Sequence, residues 1–362
     1  VSGYSSNQSY AAHNGVFLEE GTTNKITNPS FENSTYDTGW TAAGANLTAT
    51  VNTTAPYYKF GSQSEKLVAS ATAISGTSNM RTISISAGNT NTHMLSAYVY
   101  NGTSGAVGGT IDATVAKLVY NGTAQTTTYT DMGGGWWRLT YSAAGITSAA
   151  EYGVEAQVSK TIYLDGVQLE EKAYATTYTD GTLGTGYSWS GTANNSTSSR
   201  TAASLSYSPT SNIGGSAGAF GFWANFNYYP SVSAYQNLLC VKGWAVTNGL
   251  CLFVNTTTNQ IAFEYDDSAG NRNTIFSTAD LSNWHYIVGV WGSNDLRLYI
   301  DNTLKGSDTS LTNDANLTSA IAIGQVNFGK AISDLRVYDS ALTAAETAAP
   351  IHSFAGNFQF FF

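Results

Sequence analysis

Two short segments place aromatic and cationic side chains where they could contact a sugar. In MLSAYVY, small apolar residues alternate with hydroxyl-bearing ones, which predicts a core face and an opposite face that carries Tyr98 and Tyr100. In WWRLTY, Trp136 shares its side with Arg138, and the alternate residues are apolar. An aromatic ring suits the C–H face of a saccharide, and a guanidinium donates to its hydroxyls. The alternative, that these rings pack against a wrapping N-terminal segment, stays open.

Tyr57 and Tyr58 follow Pro56 in a predicted loop, and they offer the same two alternatives of sugar contact or packing. The sequence holds no phosphate-cradling loop and no Ser/His/Asp constellation. Its four histidines are scattered, with no Cys or His at metal-ligand spacing. We therefore expect a protein without catalytic activity.

Cys240 and Cys251 lie in two apolar runs that flank a turn with Gly and Asn. This pattern predicts a hairpin in which the two residues could face each other. A disulfide would suit an extracellular protein, whereas two buried free thiols are the alternative.

Composition excludes several classes of partner. The chain has 362 residues, with 24 acidic against 15 basic side chains and a net charge of -9, so we expect no nucleic-acid binding. No run of 18 apolar residues exists, so no membrane insertion is expected. The chain begins with Val1, which leaves open a removed leader or a start outside the given sequence.

Many short apolar or alternating runs, bounded by Gly, Asn or Asp, predict an all-β protein. The single helix signal is SALTAAETAAP, where Thr343 and Glu346 form a capping-box pattern and Pro350 marks the end. A polar, Tyr- and Trp-containing stretch from residue 173 to about residue 200 separates two strand-rich halves. We expect it to wrap or enter the second domain rather than form a free linker.

The first half contains GTTNKITNPSFE, DTGW, KFGSQSEKLV, GGGWWRLTYS and YLDGVQLEE in this order. Over residues 21–172 it resembles the jelly-roll carbohydrate-binding modules that are attached to glycoside hydrolases and found in phage virion proteins. This resemblance implies a structural calcium ion held by Glu32 and Asp165, with backbone carbonyls of residues 61–64 as further oxygen ligands. The alternative is that Glu32 and Asp165 form a simple surface pair.

The second half contains SAGAFGFWANFNY, DLSNWHYIVGVWGSNDLRLYIDNTLKG, LTSAIAIGQ and FGKAISDLRVYDSALTAAE. In the second of these segments, the strand LRLYI is followed by a predicted two-residue turn at Asp301-Asn302. Over residues 183–348 the second half resembles a concanavalin-A-like, laminin-G-type sandwich. Glycanases on this sandwich share a Glu-x-Asp-x-x-Glu strand. In FEYDDSAG, Glu264 and Asp266 match the first two positions, but Ala269 replaces the second Glu. We therefore expect these carboxylates, with Asp267, to form a solvated acidic turn, with a cation site at Asp266 and Asp267 as a minor alternative.

The predicted fold is all-β, with two β-sandwich domains, a jelly-roll module and a concanavalin-A-like sandwich, and with N- and C-terminal extensions. The predicted ranges are an N-terminal extension (1–20), the first module (21–172), a connector (173–182), the second domain (183–348) and an aromatic tail (349–362). The N-terminal segment is expected to reach a partner. Four tail residues are expected to dock on a neighbouring protein, namely Phe358, Phe360, Phe361 and Phe362, and the alternative is that the tail folds back on its own sandwich.

This layout resembles phage tail, fibre and capsid-decoration proteins. It implies a non-catalytic protein of a virion surface or the extracellular space, part of an oligomeric assembly, that binds host-surface or extracellular glycans and other virion or assembly proteins. Two alternatives remain open. One is a purely structural assembly component without sugar binding, and the other is a glycanase remnant.

Overall fold

The computed structural model describes residues 15–43, 46–70, 79–103, 108–203, 205–207, 213–226, 235–242, 245–255, 258, 260–278, 283–312, 315, 317, 319–323 and 330–348. Within these residues the protein is nearly all β, as predicted. The strands are β1 (Gly15–Leu18), β2 (Thr22–Asn24), β3 (Trp40–Ala43), β4 (Leu47–Asn52), β5 (Ser64–Ala69), β6 (Met80–Ser86), β7 (Thr92–Asn101), β8 (Ala116–Tyr120), β9 (Thr123–Ala124), β10 (Thr128–Asp131), β11 (Trp136–Ala144), β12 (Ala149–Ala156), β13 (Thr161–Glu170), β14 (Tyr187–Trp189), β15 (Ser198–Arg200), β16 (Leu205–Tyr207), β17 (Gly218–Phe226), β18 (Tyr235–Val241), β19 (Leu250–Asn255), β20 (Gln260–Asp266), β21 (Arg272–Thr278), β22 (His285–Gly292), β23 (Asp295–Ile300), β24 (Thr303–Asp308), β25 (Ile321–Ile323) and β26 (Lys330–Tyr338). The helix α1 spans Ala344–Ala348. No helix in the described part of the chain is both long and apolar enough to cross a membrane.

The chain forms two compact units. Unit 1 contains Gly21–Thr201, and unit 2 combines residues 15–20 with residues 202–348. Of the described residues, the first few therefore belong to unit 2, and the chain returns to that unit only after all of unit 1 has been built.

Unit 1 is a sandwich of two antiparallel sheets. The six-stranded sheet has the order β10-β11-β7-β13-β5-β4, and the five-stranded sheet has the order β3-β6-β12-β8-β9. Leu95, Ala97 and Val99 of β7 and Leu139 of β11 lie in the core with Val154 of the other sheet. The alternation predicted for MLSAYVY and WWRLTY is therefore confirmed, and the intervening side chains project from the opposite face.

A small third sheet, β14-β15-β2, extends unit 1 beyond the predicted connector. In it, Ser198 lies opposite Asn24 and Ser199 opposite Thr23. The sequence predicts a second domain from residue 183, but the structure keeps the chain in unit 1 up to Thr201. The reason is that β15 of the β14–β15 hairpin pairs its backbone with β2, which lies near the start of residues 21–201 in sequence.

The segment 173–180 is fixed to unit 1 by buried hydrogen bonds. Glu170 accepts from Thr176 through both the backbone N (2.9 Å) and the hydroxyl (2.7 Å). Thr179 N donates to Gln168 Oε1 at 2.7 Å. The stretch is thus not a free linker, as predicted, but the expectation that it wraps or enters the second domain is wrong, because these bonds join it to unit 1.

Unit 2 is also a two-sheet sandwich. Its six-stranded sheets have the orders β1-β26-β17-β22-β23-β24 and β16-β25-β18-β19-β20-β21. Phe220 and Leu298 of the first sheet pack with Leu252 and Phe263 of the second in one buried cluster. This core supports the sandwich predicted for the second half.

The described part of the predicted N-terminal extension is an edge strand of unit 2. Val16 lies opposite Ile332, and Leu18 lies opposite Lys330. The prediction that this extension reaches a partner is therefore corrected for residues 15–18, because their backbone pairs with β26 of the same chain. Residues 1–14 lie outside the described residues, as do the tail residues Phe358, Phe360, Phe361 and Phe362.

Three local predictions are confirmed. Cys240 of β18 lies directly opposite Cys251 of β19, and the two form a disulfide, which decides between the two alternatives for this pair. Asp301-Asn302 links β23 to β24 with positive φ angles of 51° and 62°, which suit a tight hairpin turn. At α1, Thr343 N donates to Glu346 Oε2 (2.7 Å) and Glu346 N donates to Thr343 Oγ1 (3.3 Å), as a capping box requires.

Candidate functional site

The predicted sugar-contact residues share one face of the six-stranded sheet of unit 1, on the side away from the core. Trp136 lies opposite Tyr100, and Arg138 lies opposite Tyr98. Tyr163 of β13 lies opposite Tyr100 on the other side of β7. We call this surface the tyrosine face and include in it Tyr98, Tyr100, Trp136, Arg138, Tyr163 and Asp165. The sequence therefore predicts correctly that Tyr98, Tyr100, Trp136 and Arg138 share the side away from the core, but it does not place Tyr163 and Asp165 beside them.

The tyrosine face is not an open groove, and on this point the sequence prediction is wrong. Trp136, Tyr98 and Tyr100 expose only 3%, 5% and 2% of their surface. They form a buried aromatic cluster with Tyr163 and Tyr178. These rings are therefore packed, as the alternative has it, but against Tyr57, Phe60 and Tyr178 rather than the expected N-terminal segment.

The covering side chains come from the β4–β5 loop (residues 53–63) and from the 173–180 segment. Tyr57 stacks on Tyr163 with ring centroids 4.4 Å apart and an interplanar angle of 12°. Phe60 stacks on Tyr178 at 4.1 Å and meets Tyr98 edge-on at 5.0 Å. Trp136 Nε1 also donates to the Pro56 carbonyl at 3.2 Å.

Of the two predicted loop tyrosines, Tyr57 thus serves as part of the cover, in the stacked position that a sugar ring would need. Tyr58 beside it is half-buried. The loop prediction is confirmed for both residues, but neither forms part of an open binding surface.

Asp165 fixes the β4–β5 loop to the tyrosine face through hydrogen bonds from the loop backbone. It is fully buried and accepts hydrogen bonds from Lys59 N (2.6 Å), Phe60 N (2.9 Å) and Gly166 N (2.7 Å). Burial raises the pKa of Asp165 well above its ordinary value, and the three N–H donors oppose that shift.

Glu32 holds the other end of the same loop. Its carboxylate accepts from Ser62 N (2.7 Å), Ser62 Oγ (2.9 Å) and Gln63 N (2.7 Å). Gly61 has a φ of 62°, and a Cβ there would lie 2.4 Å from Glu32 Oε1. The turn therefore requires glycine both for its backbone conformation and for the approach of the carboxylate.

The residues do not fit the implied calcium site. A Ca²⁺ ion needs six to eight oxygen ligands, whereas the groups that face Glu32 and Asp165 are chiefly backbone N–H donors. Among the described residues, no group of three or more Asp, Glu, His or Cys side chains could hold a metal ion. The two carboxylates bind the loop directly, and we derive no role for calcium from them.

Arg138 differs from its neighbours on the tyrosine face because it is a buried charge. It is 9% exposed, its Nη2 donates to Ser96 Oγ at 2.9 Å, and its Cζ lies 5.3 Å from the centre of the Tyr98 ring. Its Nε has no hydrogen-bond partner. Thr130 on β10 lies directly opposite it and is half-buried.

The three carboxylates of FEYDDSAG in unit 2 are buried, which corrects the prediction of a solvated turn. Glu264 and Asp266 lie on the side of β20 away from the core and are each 1% exposed. Glu264 accepts from Ala245 N at 2.8 Å, and Arg272 Nε lies 3.0 Å from Asp266 Oδ1 and 3.5 Å from Glu264 Oε2. Burial raises the pKa of Glu264 to about 7, with the Asp266 charge acting in the same direction. Because alternate residues of a strand share a face, both carboxylates lie on one side of the sheet.

Asp267 shapes the following turn instead of joining this pair. Its carboxylate accepts from Ala269 N (2.9 Å), Asn271 N (2.7 Å) and Asn271 Nδ2 (2.7 Å). The minor alternative of a cation site at Asp266 and Asp267 is therefore not supported by the geometry.

Sequence reasoning missed Phe276 on the edge strand β21. At 47% exposure, it is the only aromatic side chain that the described residues place on the exposed surface. It lies opposite Ala262, on the same side as Thr274 and away from Ile275 in the core. The alternation in RNTIFST was the signal that could have identified it.

Residues 197–348 match the protein family described as the Concanavalin A-like lectin/glucanases superfamily. This range covers most of unit 2, and the match confirms the resemblance stated for the second half. No curated protein matches the chain.

Three solved structures illustrate the wider similarity. The binding domain of botulinum neurotoxin serotype D is 14% identical, with a TM-score of 0.32 over 37% of this chain and 35% of that chain. The receptor binding domain of botulinum neurotoxin type G is 16% identical, with a TM-score of 0.31 over 36% of each chain. The binding domain of botulinum neurotoxin DC, in complex with rat synaptotagmin II, is 15% identical, with a TM-score of 0.31 over 37% of this chain and 35% of that chain. The match thus spans about a third of each of these structures, and none of our proposals rests on them.

Proposed function

We propose that this protein is a non-catalytic surface protein that binds glycans through its β-sandwiches. The observation that carries the proposal is that the segment matching the lectin/glucanase superfamily presents an exposed aromatic ring, Phe276, on one strand face with Thr274 and Arg272. The ring offers an apolar plate to a sugar, and the hydroxyl and guanidinium offer hydrogen bonds to its hydroxyl groups.

The arrangement of the carboxylates supports binding rather than hydrolysis. A retaining glycosidase needs a nucleophile and a separate acid/base on either side of the scissile bond. Here Glu264 and Asp266 are buried, both lie beside the same Arg272, and Ala269 stands at the position of the second Glu. Hydrolysis of mixed polysaccharides, measured with the wild type and with Glu264→Ala, tests this point. An activity lost in the variant would revive the glycanase alternative.

We place the protein outside the cell, on a virion or another extracellular surface, in an oligomeric assembly with other virion or assembly proteins. The disulfide between Cys240 and Cys251 supports an oxidising environment, because cytosolic proteins rarely keep such bonds. Host-surface or extracellular glycans are the partners that this location would offer.

The experiment is a glycan-array and host-cell binding assay on the full chain, with Phe276→Ala and Leu304→Ala in parallel. Leu304 is a matched control because it is 49% exposed on β24, the edge strand of the other sheet of unit 2. Loss of the exposed ring should weaken binding about tenfold, or ~1.4 kcal/mol, whereas Leu304→Ala should leave it unchanged. Equal binding by both variants and the wild type would show that Phe276 is not the contact.

A second candidate function, a structural assembly component without sugar binding, is favoured by the covered tyrosine face. There the rings of Tyr98, Tyr100 and Trp136 stabilise unit 1 itself. If the folded protein binds no glycan and no cell, this second function replaces the first.

A further inference from the structure

Arg138 is a buried cation for which the described residues provide no anion. No Asp or Glu carboxylate in the described part of the chain lies within ion-pair distance of its guanidinium. Of its five N–H donors, the structure shows one donor atom, Nη2, bonded to Ser96, while Nε has no partner. Arginine is rarely buried to this extent unless it is paired.

Burying the Arg138 guanidinium costs desolvation free energy, and the cation–π contact with Tyr98 compensates only a part of it. Burying an ion carries a large desolvation penalty, and a single neutral hydroxyl with one aromatic ring returns little of it. A sequence selected for stability alone would be served by an apolar residue at this position. The retained charge therefore points to a ligand that supplies the missing anion.

The carboxylates on the same face are committed to other groups. Asp165, which lies opposite Tyr98, binds the amides of Lys59 and Phe60 in the β4–β5 loop. Glu170 binds both donors of Thr176. Neither is available to neutralise Arg138 while the loop and the 173–180 segment are in place.

The side chains around Arg138 are hydroxyls rather than acids. Thr140 follows it on the same side of β11, and Thr130 lies opposite it on β10. Both are half-buried, and Thr128, the next residue on that side of β10, is exposed. The hydroxyl row thus runs from the buried guanidinium to the surface, whereas the aromatic end of the face is closed.

We propose that Arg138 binds the anionic group of an acidic saccharide, with the hydroxyl row contacting the rest of the sugar. The anion is a carboxylate of a uronic or sialic acid residue, because a planar guanidinium pairs with a carboxylate through two parallel hydrogen bonds. This inference rests on the proposed glycan binding and names its substrate class, at a site in unit 1 that is separate from Phe276.

The test compares oligogalacturonate with the same oligomer after its carboxyl groups have been reduced to alcohols. Titration calorimetry on the full wild-type chain should show at least a tenfold preference for the acidic form, because a charge-assisted pair is replaced by neutral hydrogen bonds. A sialylated and a sulfated oligosaccharide, each with its neutral counterpart, are titrated as further arms. A preference confined to the sulfated pair would overturn the assignment of a carboxylate.

Three variants locate the effect. Arg138→Met keeps a long, unbranched side chain and removes the charge, so the preference for the acid should disappear. Arg138→Lys keeps the charge but not the planar guanidinium, so it should retain only part of the preference. Lys66→Met is the matched control, because it removes a half-buried cation from β5, where Lys66 lies opposite Tyr163 of the tyrosine face. It should keep the full preference.

The outcomes separate this inference from the proposed function. If glycans bind but acidic and reduced forms bind equally, or if Arg138→Met keeps the preference, the assignment of Arg138 is wrong and glycan binding stands. If no glycan of either form binds, the proposed function fails as well. If Arg138→Met does not fold, the wild-type comparison still tests the preference for the acid, and Arg138→Lys tests whether Arg138 is its source: a full preference in Arg138→Lys would overturn the assignment.

Discussion

Replacing Asp165 by alanine should release the β4–β5 loop from the tyrosine face. The change removes the acceptor of three backbone hydrogen bonds, two from the loop amides of Lys59 and Phe60 and one from Gly166. A hydrogen bond to a charged or buried acceptor contributes about 1–3 kcal/mol, but the loop amides can be rehydrated once the loop opens. We therefore expect a loss of about 3 kcal/mol in the free energy of unfolding, or roughly 6–12 °C in Tm for a unit of this size.

The assay combines denaturation with a measure of ring exposure. Loop release should expose Trp136, which donates to the Pro56 carbonyl and is 3% exposed, so its fluorescence should become open to quenching by iodide. Asp131→Ala is the control, because Asp131 lies on the same sheet and accepts one turn amide, from Gly133 at 2.8 Å. It should cost about 1 kcal/mol and leave Trp136 protected.

The hydrogen bonds from the loop amides of Lys59 and Phe60 to Asp165 form what we call the amide latch. The same denaturation experiment distinguishes this latch from binding of the implied calcium ion. A calcium ion bound between Glu32 and Asp165, at a free concentration 100 times its Kd, would add about 2.7 kcal/mol to the free energy of unfolding. A chelator would remove that stabilisation. We expect the Tm of the wild type to be the same with EDTA and with added calcium. A chelator effect that Asp165→Ala abolishes would refute the latch, as would a variant as stable as the wild type.

Three other predictions follow from the geometry. Gly61→Ala should lower the Tm of unit 1 in a thermal melt, because its Cβ would lie 2.4 Å from Glu32 Oε1 and its φ of 62° favours glycine; an unchanged Tm would contradict this account of the turn. The pKa of Glu264 is raised from 4.5 to about 7, so the stability that it contributes is present below pH 4.5 and is lost as the pH rises through about 7. Glu264→Gln should reduce this loss of unfolding free energy with rising pH, as measured by urea unfolding at several pH values. If the variant and the wild type lose stability equally as the pH rises, this account of Glu264 is wrong. Replacing both Cys240 and Cys251 by serine should cost about 3 kcal/mol in unit 2, since the bond closes a short loop, and should leave the Tm of unit 1 unchanged; a calorimetric scan checks both.

Local features of the fold could be predicted from the sequence because a few adjacent residues determine them. The alternation around Val99 and Leu139 identifies the core face, since strand geometry sends alternate side chains to opposite sides. The Asp301-Asn302 turn and the capping box at Thr343 depend on residues within three positions of each other. Such patterns need no knowledge of distant partners.

The state of the candidate site could not be predicted, because distant segments determine it. The alternation places Tyr98 and Trp136 on one face, but their burial depends on Tyr57 and Phe60 folding back from the β4–β5 loop. That loop is held by Asp165, more than 100 residues away in the chain. The buried charge of Arg138 depends likewise on which carboxylates other segments engage, so the feature behind our further inference is visible only in three dimensions.

The pairing of β1 with β26 also affects how the protein is made. Residues 15–18 leave the ribosome before residues 21–201 of unit 1, but Lys330–Tyr338, which they pair with, follow about 300 residues later, or roughly 15–60 s at ordinary elongation rates. During this interval unit 1 can fold, because all of its described strands lie between the two in the chain. The first of the described strands is thus among the last of them to be paired, and a ribosome-bound chain stalled before residue 330 would carry a finished first unit and an unpaired β1.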